Sequence, residues 1–540
     1  MVDSGRDWIT VALLVIWWLL HVGVNLVWLK VDTRPPFWDT AGHAITAIQF
    51  SRLPFVQDFS TALRGLLTTS RYPPLVYGLS AFLAVPFWPT TDVFNAVHAL
   101  FLGVLLLSVY AIGREFGGRQ AGLLAAFVVS MYPLIYGLER HYLLDVPLVA
   151  MVALSNWRLV CTDRFEQRGA SLLYGLSLGL GMLTKWAFAI FALGPFLVQA
   201  VRLFSARSKR RWINMMLGLG AGAATAAPWH IYNFRSSLRF MSLMPIYGRA
   251  EGDPVIASLE SWGYYLHAFI DDQVLLPFAV AFAIGLIALL RRPEFRHEAF
   301  LLASWIVVPY SFSSLSPNKD PRYTMPYLPA VAVITGLGLV LLQRRTLRLG
   351  LVGLLALYAM VQFAGLTWGP SSRLPVGLLP DRIALQIGPI PLPLYAEGVH
   401  IASPPKREDW QVQSVLHDAL SSSNVIPKKG MARLVVLADA PCFEQNTFKY
   451  HALLDRLPID VFTVAGVIAI PEAEPQVLAS DYIVTKTGNL GPPWSIQQIV
   501  PLLEGLHDPS SELGQQFDLV REYSLPDGSV GELYENVSLK

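Results

Sequence analysis

Over its first 368 residues the chain keeps its apolar positions in long runs, broken by short polar connections. A helix needs ~20 apolar residues to cross a hydrocarbon layer. Runs near that length predict spans at 8–29, 94–113, 120–138, 145–161, 170–184, 186–204, 213–228, 273–290, 299–314, 323–342 and 349–368. The first run is too long for a signal-peptide core and reads as a retained anchor. One further stretch, YPPLVYGLSAFLAVPFW (Tyr72 to Trp88), is about one span long but carries prolines near both ends.

Beyond Trp368 the pattern becomes that of a soluble domain. ARLVVLAD, IDVFTV and DYIVTK read as buried strands, and FEQNTFKYHALLDRL and WSIQQIVPLLEGL as amphipathic helices. The end of the chain, FDLVREYSLPDGSVGELYEN, alternates as a hairpin with Asp527-Gly528 at its turn. The order of strands and helices predicts a small α/β domain. No glycine-rich phosphate loop follows its first strand, so no nucleotide role is assigned; binding an acceptor and bracing the loops are both open.

Charge resolves part of the topology. Five connections are basic: Arg114 and Arg119; Arg158, Arg164 and Arg168; Arg207 to Arg211; Arg291, Arg292 and Arg296; Arg344, Arg345 and Arg348. They share the cytoplasmic side if the N-terminus is cytoplasmic and 72–88 does not cross. If 72–88 crosses, the same loops are cytoplasmic only with the N-terminus outside. The first arrangement is preferred, with 72–88 lying along the membrane within a long outer loop, 30–93. The expected fold is a polytopic α-helical membrane protein of eleven spans with juxtamembrane helices. A transmembrane domain (1–369) precedes an extracytoplasmic α/β domain (370–540).

Composition agrees. Hydrophobic residues make up 53% and charged residues 15% of the 540, which excludes an ordinary soluble domain and disorder. A net charge of +2 carries no nucleic-acid signal. Cys161 and Cys442 lie in unlike surroundings, so neither a disulfide nor a cysteine metal site is expected.

In this arrangement Asp39, His43, Arg71, Tyr72, Arg140, Asp145, Lys185, Arg322 and Tyr323 gather at the outer face, while His98 is the main ionisable group within a span. Asp39 and Asp145 each start a helical stretch and could be N-caps. Two aspartates beside several cations also fit a site in which a carboxylate takes a proton from an acceptor hydroxyl. His43, one helical turn from Asp39, could orient it or touch substrate. Lys185 runs against the charge bias of its side and points to an anionic partner. Arg322 could pair with Asp320 or bind phosphate. RYPPL (Arg71 to Leu75) opens a helix with proline in its first turn, leaving Arg71 and Tyr72 to face substrate.

These motifs follow one another in an ordered series: an outer-loop Asp after the first span, YPPL, GREFGGRQAGLLAA, RHYLLDVPL, GLGMLTKWAFAI and PRYTMPYLPA. In that order the chain resembles the polytopic lipid-linked-sugar glycosyltransferases of the GT-C fold, nearest the protein O-mannosyltransferase and aminoarabinose-transferase-like branch, over residues 8–345. The resemblance implies a sugar donor on a polyprenyl phosphate and inverting transfer on the outer face to a glycan, lipid or protein acceptor. It places Asp39 at the catalytic base, Asp145 at the second outer-face aspartate, and Lys185 and Arg322 toward the lipid phosphate. Two departures stand out: Thr40 follows Asp39 where many members have Glu, and Asn95 replaces an arginine at the start of the second span. No cofactor is required, since cations can handle a phosphate leaving group. A divalent metal is left open, because Asp39, Asp145 and His43 could supply ligands. The expected setting is a prokaryotic plasma membrane with an extracytoplasmic site. The alternatives are a transporter or flippase of a lipid-linked or small anionic substrate, a scaffold docking through its tail, and a ligase moving a whole oligosaccharide.

Overall fold

The computed structural model describes residues 4–539 except 54–57, 69, 207, 370–379, 422–429 and 469. All eleven apolar runs fall on helices. Trp8–Val31, Thr91–Ser130, Pro321–Val340 and Arg345–Trp368 are each long and apolar enough to cross a membrane. The chain is an integral membrane protein.

Thr91–Ser130 carries two of the predicted runs and is broken between them, where Gly117 and Gly118 leave helical geometry and Gly118 takes φ 79°. A Cβ on Gly113 would stand 2.8 Å from the Gly122 Cα. Nine residues of straight helix would separate those positions by about 13.5 Å, so the chain doubles back here. The positive φ and the close approach both require glycine.

The stretch 72–88 yields only Leu75–Ala84. Ten residues rise about 15 Å, half of a hydrocarbon core of about 30 Å, so this helix cannot cross. Its buried face (Val76, Tyr77, Ser80, Ala81 and Ala84) packs on helix Trp38–Ser51 and the start of Thr91–Ser130. Pro74 is the N-cap residue, so the prolines precede the first turn rather than occupying it.

Leu328–Val340 runs through the centre of the bundle, buried from Leu328 to Leu339. Along the chain, the connections at 114–119, 158–168, 291–296 and 344–348, and Lys209 to Arg211, alternate with connections that reach a shared cavity. Arg207 lies outside the described residues. His98 is buried between the carbonyls of Glu139 (3.0 Å) and Leu143 (2.9 Å) and fixes the 139–143 turn.

The C-terminal domain holds a five-stranded sheet, in the order Ile459–Thr463, Ala432–Val436, Tyr482–Lys486, Val530–Asn536, Phe517–Ser524. The first three strands are parallel, and Val530–Asn536 runs antiparallel to both of its neighbours, Tyr482–Lys486 and Phe517–Ser524. Gly528, at φ 81°, makes the predicted hairpin turn. Most of the predicted boundary at 369–370 and the following GPSSRLPVGLLP stretch lies outside the described residues. An unpredicted hairpin, Arg382–Ile387 with Ile390–Ala396, packs on the membrane helices, with Gln362 Nε2 donating to the Ala396 carbonyl at 2.6 Å.

Candidate active site

Helix Trp38–Ser51, the Ser70–Tyr72 turn, the start of Asp145–Cys161, the Thr184–Ala187 connection, helix Phe234–Glu251 and the 313–323 loop surround a cavity of about 870 Å³. Eight of the nine predicted site residues line it: Asp39, His43, Arg71, Tyr72, Asp145, Lys185, Arg322 and Tyr323. Ile190, Phe191, Phe240, Met241, Met244 and Phe312 give it an apolar wall. It joins charge to grease, as a lipid carrying a polar head requires.

The ninth residue is elsewhere. Arg140 is buried among Trp28, Tyr136 and Phe363, donating to Asn25 Oδ1 at 3.0 Å and Thr367 Oγ1 at 2.7 Å. It ties the first and last membrane helices to the 139–143 turn. Expected at the substrate, it lies outside this cavity and lines a second one with Trp28, Arg34 and Asn95.

Neither aspartate is a cap. Helix Trp38–Ser51 has Phe37 at its N-cap and helix Asp145–Cys161 has Leu144, both without a side-chain cap bond. Each aspartate meets a cation instead. Arg322 Nη2 lies 3.2 Å from Asp39 Oδ2, and Lys185 Nζ lies 2.9 Å from Asp145 Oδ1. Arg322 is also held by Asp320 (Nη2 to Oδ2, 2.8 Å), whose other oxygen lies 3.2 Å from His400 Nε2. The local pair expected for Arg322 is therefore present, and the guanidinium still reaches Asp39.

The exposure is unequal. The Asp39 side chain is 65% exposed to the cavity, whereas Arg322 is 13% and Asp145 4% exposed. Desolvation by the cavity walls would raise the Asp39 pKa, but the charges of Arg322, His43 and Lys185 outweigh it and hold the carboxyl below its usual 3.8. Burial pushes His43 down to about 4 against the pull of Asp39. Its Nδ1 lies 2.7 Å from the Tyr77 hydroxyl. Desolvation would lower Lys185, yet Asp145 beside it moves the ammonium upward. Arg71 lies over the Phe240 ring at 5.1 Å, and the Tyr72 ring meets His43 edge-on at 5.4 Å.

Among the described residues no group of three or more His, Cys, Asp or Glu is spaced to hold a metal ion. The oxygens that would serve, on Asp39 and Asp145, face Arg322 and Lys185.

The sequence reading missed Trp38, Tyr77, Trp186, Phe240, Tyr247, Glu251, Asn446 and Trp494, all lining the cavity. The amphipathic pattern of 234–251 could have signalled Phe240 and Tyr247. No local pattern marks Asn446 or Trp494, which arrive with the C-terminal domain.

With this geometry in place, likeness to known proteins is informative. Residues 71–232 match the family described as dolichyl-phosphate-mannose-protein mannosyltransferase. An undecaprenyl phosphate-α-4-amino-4-deoxy-L-arabinose arabinosyl transferase of Proteus mirabilis is 24% identical over 253 residues, 45% of this chain and 44% of that one. A counterpart from Pseudomonas aeruginosa is 30% identical over 275 residues, 47% and 46% of the two chains. The chain thus spans less than half the length of these relatives. Two solved structures superpose along nearly its whole length. ArnT from Cupriavidus metallidurans bound to undecaprenyl phosphate has a TM-score of 0.58 at 15% identity, covering 100% of this chain and 99% of that one. The oligosaccharyltransferase of Archaeoglobus fulgidus has 0.52 at 11% identity, covering 98% and 74%. By architecture the chain has the GT-C fold of polytopic glycosyltransferases, with a C-terminal α/β domain over its polar cavity.

Proposed function

We propose that the protein is a membrane glycosyltransferase that moves a sugar from a polyprenyl-phosphate donor to an acceptor, with inversion. One observation carries this reading: an exposed carboxylate, Asp39, stands with Arg322 and Lys185 in a cavity that has both a charged and an apolar wall. The acceptor class is a glycan, lipid or protein nucleophile. The alternation of basic connections with cavity connections supports a cytoplasmic N-terminus, and so a site and C-terminal domain facing out of a prokaryotic plasma membrane. No observation favours transport, since the charges collect in one cavity and the fold neighbours are transferases.

In the reaction, Asp39 accepts the proton of the acceptor hydroxyl or amine. The freed electron pair attacks the anomeric carbon from the face opposite the lipid phosphate. The bond from that carbon to the phosphate oxygen breaks, and its electron pair leaves on the phosphate. Arg322 and Lys185 exchange part of their contact with the aspartates for the phosphate, whose charge grows toward the transition state. The apolar wall holds the first isoprene units. Purified protein should release polyprenyl phosphate from a labelled polyprenyl-phosphate sugar only when acceptor is present. Failure with every donor tested would remove the reading.

The pH dependence follows from the two shifted groups. Asp39, depressed below 3.8, adds stability above that value that is lost only as pH falls through its lower folded value. His43 is neutral above about 4, and burying it neutral erodes stability as pH falls from 6.5 toward 4. The expected kcat profile has no acid limb between about pH 5 and 7, while thermal stability declines as pH falls below about 6.5. A kcat limb near neutrality that vanishes in His43→Gln would instead give His43 a share in proton transfer.

A further inference from the structure

The C-terminal domain grips the backbone immediately before Asp39. Trp38, the first residue of helix Trp38–Ser51, sits at φ 46°. Residues other than glycine seldom occupy this region, and those that do are held there by their surroundings. Pro35 and Pro36 stiffen the incoming chain. What holds Trp38 comes from far along the sequence. Glu444 Oε1 accepts the Trp38 N–H at 3.0 Å and the Thr447 N–H at 2.9 Å, while Oε2 accepts the Asn446 N–H at 2.6 Å. Thr447 Oγ1 donates to the Pro36 carbonyl at 2.9 Å, and the Trp38 indole donates to the Asp439 carbonyl at 3.3 Å. Glu444 is itself buried, at 3% exposure. One carboxylate thus joins the cap of helix Gln445–Leu454 to the turn that presents Asp39.

We propose that Glu444 is a positioning residue for sugar transfer: it locks Trp38 in its left-handed turn and so sets the Asp39 carboxylate against Arg322 and the acceptor. The proposal rests on the reading of Asp39 as the base. It gives the C-terminal domain a role in the chemical step, beyond forming part of the cavity wall through Asn446 and Trp494.

Capping and clamping can be separated in part, because Oε1 serves both Trp38 and the Thr447 cap bond while Oε2 serves the cap alone through Asn446. Glu444→Asp keeps a good cap but is one methylene too short to reach Trp38 as well. Glu444→Gln keeps an acceptor at Oε1 for Trp38 and gives up the bond from the Asn446 N–H. Burial pushes the Glu444 carboxyl up to about 7, against the N–H donors of Asn446, Trp38 and Thr447 that favour its charged form.

Both variants of the full-length protein should be assayed for transfer from a polyprenyl-phosphate sugar, beside Asp39→Asn, with thermal unfolding of each. Sub-ångström errors in placing a reacting group are costly, so Glu444→Asp should lose roughly 10- to 100-fold in kcat with little change in donor KM. Its unfolding temperature should stay near wild type. Its acid limb should move up in pH as Asp39 leaves Arg322. Glu444→Gln should keep kcat within a few-fold despite lower stability. A purely structural Glu444 gives the reverse, with kcat tracking unfolding temperature, and any result in which kcat fails to separate the two variants overturns the proposal. Wild-type kcat in Asp39→Asn would defeat the base assignment and this proposal together. An inactive Asp39→Asn beside an unimpaired Glu444→Asp would defeat this proposal alone.

Discussion

Asp39→Asn is expected to lower kcat by about 10²- to 10⁴-fold, the range that a positioned general base contributes, with protein level and donor KM nearly unchanged. The amide has almost the carboxylate's shape, so the cavity keeps its volume and the helix its packing. Lost are the proton acceptor and the charge facing Arg322 at 3.2 Å. Because that pair is open to the cavity, its contribution to stability is small, and a large fall in unfolding temperature would point to a structural aspartate. Steady-state transfer rates with unfolding curves on the same preparations decide between the two. Activity at the wild-type level would move the base elsewhere.

Arg322→Ala is expected to cost roughly 10²- to 10³-fold in kcat/KM, comparable to removing one preorganised donor from a developing anion. Arg322 differs from a surface cation because Asp320 anchors it from behind, at 2.8 Å, while its outer edge points to Asp39 and the cavity. Removing it leaves Asp320 and Asp39 without their shared counter-charge, so the Asp39 pKa should rise and an acid limb should enter the rate profile. Arg322→Lys restores charge but not the two-sided fork and should recover only part of the loss. The double variant with Asp39→Asn should fall well short of the sum of the two effects, since the residues touch and act in one step. Additive losses would mean that they work in separate places.

Much of this architecture is legible in the sequence because membrane helices must satisfy their own backbone and bury themselves in lipid. Long apolar runs are strong signals, and all eleven fall on helices. Charge alone leaves two arrangements for 72–88, and the preferred one, in which it does not cross, agrees with a helix too short to cross. The gathering of Asp39, Asp145, Lys185 and Arg322 was legible for a related reason: charges among apolar runs need partners. Their pairing was not, because it depends on how helices far apart in sequence pack together. Arg140 shows the same limit in reverse. An arginine at a span boundary reads as an outer-face cation, yet here aromatic rings and Thr367 enclose it. The docking of the C-terminal domain left no local trace. Glu444 looks like an ordinary helix cap until its second partner, Trp38, is placed beside it.

The central claim is that this cavity transfers a sugar from a lipid phosphate with Asp39 as base. The most direct test follows labelled sugar in membranes that contain a polyprenyl-phosphate donor pool, comparing wild type with Asp39→Asn at equal protein levels. Label should leave the lipid fraction and enter the acceptor fraction with wild type only. Equal transfer by both, or flux of the label across the membrane with no product formed, would contradict it.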